Sequence, residues 1–175
     1  MRKRFLLLAI VPVVAVAVVA TTLVLRSPQA SAESLVPFHA TVSEMFTAAP
    51  CGPSLRCITA VGTGQATHLG EITENATVVI NTDPSLMQNG CSPETRDTKF
   101  TAANGDTITM HGTGWTCAAT SDAHDSYGIA GGSGRFQGAS GSGNEYNVHT
   151  FTGQGVGVAT VTYDGVISSV GSLNF

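Results

Sequence analysis

Apolar and polar residues alternate in short runs between Val36 and Ser168, and Gly, Asn, Asp and Pro punctuate the runs. A period of two is the pattern of a half-buried strand, and no segment carries a helical period. The runs predict strands over 36–47, 57–63, 71–81, 95–102, 106–112, 124–130, 142–151 and 156–168. Asn104-Gly105 is a strong two-residue hairpin signal, and Gly153-Gln154-Gly155 serves the last pair in a similar way. Eight strands joined in sequence by short links predict an all-β fold, an eight-stranded antiparallel up-and-down β-barrel, because closure removes the unpaired edges. A two-sheet sandwich is the alternative architecture. In the last strand Ala159, Val161 and Tyr163 share one face while Val156, Val158, Thr160 and Thr162 share the other. Both faces are apolar enough for one to fill a lumen and the other to meet a cover or another subunit.

The same alternation singles out one acid. Phe38, Ala40, Val42, Glu44 and Phe46 fall on one face of the first strand. A carboxylate in an apolar row is costly to bury, gains a raised pKa and can act as an acid or base. A solvated position on the barrel rim is the plainer reading of Glu44. The five histidines show neither the helical i, i+4 zinc spacing nor a strand H-x-H. His68, in a glycine-flanked turn, is expected to hydrogen-bond within that turn. Asp122-Ala123-His124-Asp125 reads as an acidic solvated loop. The glycine-rich stretches precede no helix and lack the phosphate-loop lysine, and no serine sits in a nucleophile elbow. No cofactor and no metal site is expected.

Composition changes the picture at the N-terminus. Arg2-Lys3-Arg4 precedes an uncharged, mostly apolar run over 5–25, and Ala30-Ser31-Ala32 follows as a small-x-small cleavage site. Residues 1–32 therefore read as a signal peptide, with an uncleaved membrane anchor over 5–25 as the alternative. Residues 33–175 form a single β-barrel domain. Its expected location is secreted, or anchored to the outer face of the cytoplasmic membrane. The segment 1–32 takes four of the eight basic residues and none of the twelve acidic ones, which leaves the domain at −8. Nucleic acid is excluded as a partner, since its recognition needs clustered Lys and Arg.

All four cysteines, Cys51, Cys57, Cys91 and Cys117, lie in the domain. An even count in an oxidising compartment reads as two disulfides. Of three pairings, Cys51–Cys57 and Cys91–Cys117 close a short loop and staple neighbouring hairpins. Loop entropy gives them about 2.4 and about 3.6 kcal/mol. A four-cysteine zinc site is the rival, but no C-x-x-C pair is present.

The densest signal is Gly131-Gly132-Ser133-Gly134-Arg135-Phe136-Gln137-Gly138-Ala139-Ser140-Gly141. Its glycines suit a tight corner, with Phe136 sealing one end of the fold and Arg135 facing an acceptor on the rim. The stretch resembles the Gly-Gly-Thr/Ser-Gly-x-Phe-x-Gly-Ala-x-Gly signature of the allene oxide cyclase and dirigent barrels. The segments from Gly62 to Gly70 and from Phe100 to Asp106 resemble bacterial secreted relatives, and together the likeness covers most of residues 36–170. It implies an eight-stranded barrel, often trimeric. Allene oxide cyclases cyclise an unsaturated fatty-acid epoxide in an apolar cavity, and dirigent proteins steer phenolic intermediates. The catalytic motifs of neither branch are present, and the two cysteine pairs depart from the plant cyclases. The leading expectation is a non-enzymatic module, structural or binding a small apolar or phenolic ligand. A cyclase or isomerase acting by confinement, with Glu44 as its polar group, is one alternative; a protein-interaction module is the other.

Overall fold

The computed structural model describes residues 34–168, so the predicted export segment lies outside the described residues. Among the described residues eight strands follow one another: β1 (Leu35–Gly52), β2 (Leu55–Ala66), β3 (Gly70–Asn81), β4 (Cys91–Ala102), β5 (Thr107–Cys117), β6 (Asp122–Ser133), β7 (Gly141–Gly153) and β8 (Val156–Ser168). Each pairs antiparallel with its neighbour in sequence, and β8 returns to β1 to close the barrel. The up-and-down barrel is therefore the architecture, and the sandwich is set aside. All eight expected strands are present, several of them longer than the alternation predicted. β4 starts at Cys91 and β5 runs to Cys117 because those two residues are register partners, joined by a disulfide. Pro93 and Gly114 had broken the pattern there.

The second disulfide joins Cys51 to Cys57 across the β1–β2 turn. Both expected pairings are thus present, and both lie at the same end of the barrel. The β3–β4, β5–β6 and β7–β8 connections also lie at that end.

The opposite end is packed solid. Phe38, Phe100, Ile108, Phe136, Tyr163 and Ile167 are fully buried there. Phe100 meets Tyr163 edge-on at 5.1 Å between ring centroids, and Tyr163 meets Tyr127 at 5.8 Å. Edge-to-face pairs of this kind add about 0.5–1.5 kcal/mol beyond their burial. The glycine corner closes this end with a single 3₁₀ turn, Gly134–Phe136, which the strand pattern did not predict. Gly134 sits at φ 63° and Gly138 at φ 77°, in the left-handed region that disfavours a Cβ. The turn drops the Phe136 ring into the barrel. It also brings Arg135 Nε to 2.6 Å from Asp106 Oδ2 in the β4–β5 turn. Ser140 and Ser168 exchange hydrogen bonds that tie the corner to the end of β8. His68, at φ 68°, reaches beyond its own turn, and its Nε2 lies 3.0 Å from the Pro37 carbonyl of β1.

An uncharged row set by register crosses the outer face: Asn75, Val61, Met45, Val158 and Thr150 on β3, β2, β1, β8 and β7. Met45, Val61 and Val158 are all exposed. In β8 the inward face is Ala159, Val161 and Tyr163.

A Cβ at position 134 would overlap the Asp106 carboxylate as well as take the unfavourable φ. Gly134→Val is therefore expected to lower Tm by several degrees, the equivalent of about 1–3 kcal/mol. An unchanged melting temperature would show that the corner does not hold the barrel end.

Candidate functional site

Between the packed end and the disulfide end the lumen turns polar. Inward alternation on β1 delivers Glu44, as the sequence predicted, and the side chain is buried rather than on the rim, at 4% exposure. The same parity on the other strands delivers Glu74 from β3, Glu94 and Arg96 from β4, Asp125 from β6 and Glu145 from β7. All are buried, and among the described residues Arg96 is the one basic side chain in the buried set. Asp125 corrects the expectation of an acidic solvated loop. Residues 122–125 are strand, and the Asp125 side chain points into the barrel.

Arg96 organises the layer. Its Nη2 donates to Glu44 Oε1 and, at 3.0 Å, to Glu74 Oε1. Its Nε lies 3.2 Å from Glu145 Oε1 and donates at 3.1 Å to Thr98 Oγ1. Tyr163 donates to Glu74 Oε1 at 2.6 Å. Three carboxyls thus share one guanidinium, which offsets a single negative charge. Burial pushes Glu44 up to about 8 against the pull of Arg96, with Glu74 adding repulsion. Burial likewise pushes Glu145 up to about 8. Both are therefore largely protonated at neutral pH.

A second pair sits beside this cluster. Glu94, Gly114 and Asp125 are consecutive register partners across β4, β5 and β6. A Cβ at 114 would overlap the Asp125 carboxyl, so this glycine leaves the room in which Asp125 leans toward Glu94. Burial first, then Asp125, raises Glu94 to about 9, and burial raises Asp125 as well. Neither oxygen of Asp125 has a well-formed hydrogen bond. The two acids interact both by charge and through the contact between their carboxyls.

Above this layer the disulfide end encloses a cavity of about 400 Å³. Phe46, Ile58, Val78, Ile80, Ala123 and Phe151 form its apolar walls, and Glu44, Glu94 and Arg96 line its floor. Phe46, His149 and Phe151 pack edge-on to one another, with centroids 5.2–6.2 Å apart. Arg56 at the rim lies over the Phe151 ring at 5.5 Å. Burial keeps His149 below its ordinary value, hence neutral.

Sequence reasoning found Glu44 and missed its partners. Glu74 falls in an Ile72, Glu74, Ala76, Val78, Ile80 row that carries the same signal as Glu44. β4 offered none, because Ser92, Glu94, Arg96 and Thr98 face inward while Thr95, Asp97 and Lys99 face outward, so both faces read as polar. The corner glycines, Arg135, Phe136 and His68 belong to the packed end, away from the cavity lining. The described residues hold no group of three His, Cys, Asp or Glu side chains arranged for a metal ion.

The solved structures similar to the chain include two pterocarpan synthase dirigent proteins. One is the pterocarpan synthase dirigent protein PsPTS1, at 15% identity and TM-score 0.46 over 78% of this chain and 96% of that one. The other is the pterocarpan synthase dirigent protein GePTS1, at 14% identity and TM-score 0.44 over 77% and 91%. No family model and no curated protein sequence matches the chain. No residue role is carried across at these identities.

The buried acids make stability depend on pH in a definite direction. Glu44, Glu94 and Glu145 hold their protons more tightly folded than unfolded. The stability they confer is complete below the ordinary carboxylate range and is lost as pH climbs toward about 8 to 9. Tm is expected to be several degrees higher at about pH 5 than at about pH 9, and Glu94→Gln, neutral at every pH, is expected to flatten that decline. A Tm that is flat or rises with pH in both proteins would contradict the buried, protonated assignment.

Proposed function

We propose that the barrel is an exported small-molecule-binding module whose ligand enters the disulfide end and lies against the apolar walls above the acid layer. The observation that carries this reading is the unequal filling of the lumen. One end is packed by aromatic rings with Phe136 as its plug, while the other holds about 400 Å³ lined by Phe46, Ile58, Val78, Ile80 and Phe151. That volume is in the range of small-molecule sites, and few polar groups set among apolar walls is their usual chemistry. The disulfides Cys51–Cys57 and Cys91–Cys117 sit in the strands of the same rim, which supports a mouth held open in an oxidising compartment.

The test is thermal shift with a panel of fatty acids, phenols and small aromatic amines. At least one is expected to raise Tm, and Ala123→Trp, which fills the cavity, is expected to abolish the shift while its own Tm shows that it folds. No stabilisation by any compound, or equal shifts in the filled variant, would overturn the reading.

A second reading, an isomerase or cyclase acting by confinement, is favoured by Glu44, a protonated acid at neutral pH that reaches the cavity floor. It supplies a general acid to a bound epoxide or enone oxygen. On that reading Glu44→Gln keeps ligand binding and loses turnover of an unsaturated lipid or phenolic substrate by about 10²-fold or more. Equal turnover in the variant would leave binding alone.

A further inference from the structure

We propose that the cavity's preferred ligand is an organic cation, an amine or quaternary ammonium on an apolar or aromatic body, seated with its charge beside Glu94 and Asp125. The inference rests on the ligand-binding reading above and adds the charge of the ligand. Among the described residues the buried set holds five carboxyl side chains, Glu44, Glu74, Glu94, Asp125 and Glu145, against one guanidinium. That guanidinium is engaged through Nη2 by Glu44 and Glu74 and through Nε by Glu145 and Thr98. Glu94 and Asp125 make no close ion pair with it and feel its charge only at longer range, Asp125 feeling His124 as well. Glu94 lines the cavity and is only 7% exposed, and the adjoining Asp125, 4% exposed, has no well-formed partner beyond its contact with Glu94. Gly114, lying between them in the register, leaves the room that the Asp125 carboxyl occupies as it leans toward Glu94.

The walls suit the same ligand. Phe46, His149 and Phe151 present aromatic surface to the cavity, and the guanidinium of Arg56 already lies over the Phe151 ring. Aromatic faces joined with carboxylates are the usual recognition chemistry for ammonium groups. An anion would instead meet Glu44 and Glu94 at the cavity floor, with Asp125 behind them. Its one attraction at the mouth is Arg56, two strands from Glu94 along the same register row.

Binding of a cation is coupled to proton release. The charged and titratable groups around the seat are Arg56 on β2, Glu74 on β3, Arg96 on β4, His124 and Asp125 on β6, Glu145 and His149 on β7, Tyr163 on β8 and Glu44 on β1. β5 contributes Gly112 and Gly114 to the row and no charge. Without a ligand, burial and the neighbouring Asp125 hold Glu94 in its protonated form; a cation lets it ionise and expels its proton to solvent. A ligand that cannot lose its own charge then binds more tightly as pH rises.

Three compounds with one hydrocarbon body test this: benzyltrimethylammonium, its uncharged isostere neopentylbenzene, and hydrocinnamate, measured on the disulfide-intact protein by calorimetry and thermal shift. The cation is expected to bind about tenfold or more tightly than the isostere at about pH 8, and to weaken as pH is lowered toward about 6. Glu94→Gln is expected to bring the cation's affinity down to that of the isostere while leaving the isostere unchanged. Binding of the isostere or of hydrocinnamate in preference to the cation would overturn the cation assignment and leave the binding module standing. Absence of binding by all three, together with a null result for the wider panel, would overturn both.

Discussion

The structure depends on one buried guanidinium. Arg96 lies inside a closed barrel, where an isolated charge costs several kcal/mol even after relaxation. It is tolerated because Glu44, Glu74 and Glu145 converge on it from β1, β3 and β7. Burial opposes its charge, and the surrounding carboxyls outweigh that cost, so Arg96 stays ionised. Opposite walls of the lumen are thereby joined through a single residue. An apolar layer there would be as stable or more so, since buried ion pairs seldom outperform well-packed hydrophobic residues. The polar layer therefore points to a use beyond stability, and the cavity directly above it is the evident place for that use.

The two ends divide the labour. Below Arg96, Phe38, Phe100, Tyr127, Tyr163 and Phe136 fill the lumen and supply apolar burial. Above it, the walls stay apolar but do not meet, and Cys51–Cys57 and Cys91–Cys117 clamp the strand ends where packing is thinnest. Disulfides are worth most where a core cannot hold the chain by itself. Their place at the open end is what a rigid mouth requires.

Much of this was legible in the chain. Alternation with a period of two gave the strand count, Asn104-Gly105 marked a hairpin, and cysteine spacing gave the pairing. Phe136 and Arg135 stood out in a glycine corner because nothing else there was bulky. The inward row around Glu44 was equally plain. The acid layer as a whole was not, for a physical reason. Its members come from five strands, and only barrel closure and register bring Glu94 to Asp125 or Glu44 to Arg96. β4 hid its part because a strand facing a polar lumen on one side and water on the other has no alternation to read. Gly114 gave no hint either, since a glycine in a strand ordinarily signals weakness or a bulge rather than room for a neighbour's carboxyl.

The central claim is that Glu44, Glu94 and Glu145 are held neutral inside the barrel. The most direct measurement is a pH titration of the side-chain carboxyl carbons by ¹³C NMR on the disulfide-intact domain. Resonances of Glu44, Glu94 and Glu145 are expected to keep their protonated positions at neutral pH and to move only toward about 8 to 9. Completion of every carboxyl titration below about pH 6, the ordinary range for exposed acids, would contradict the account.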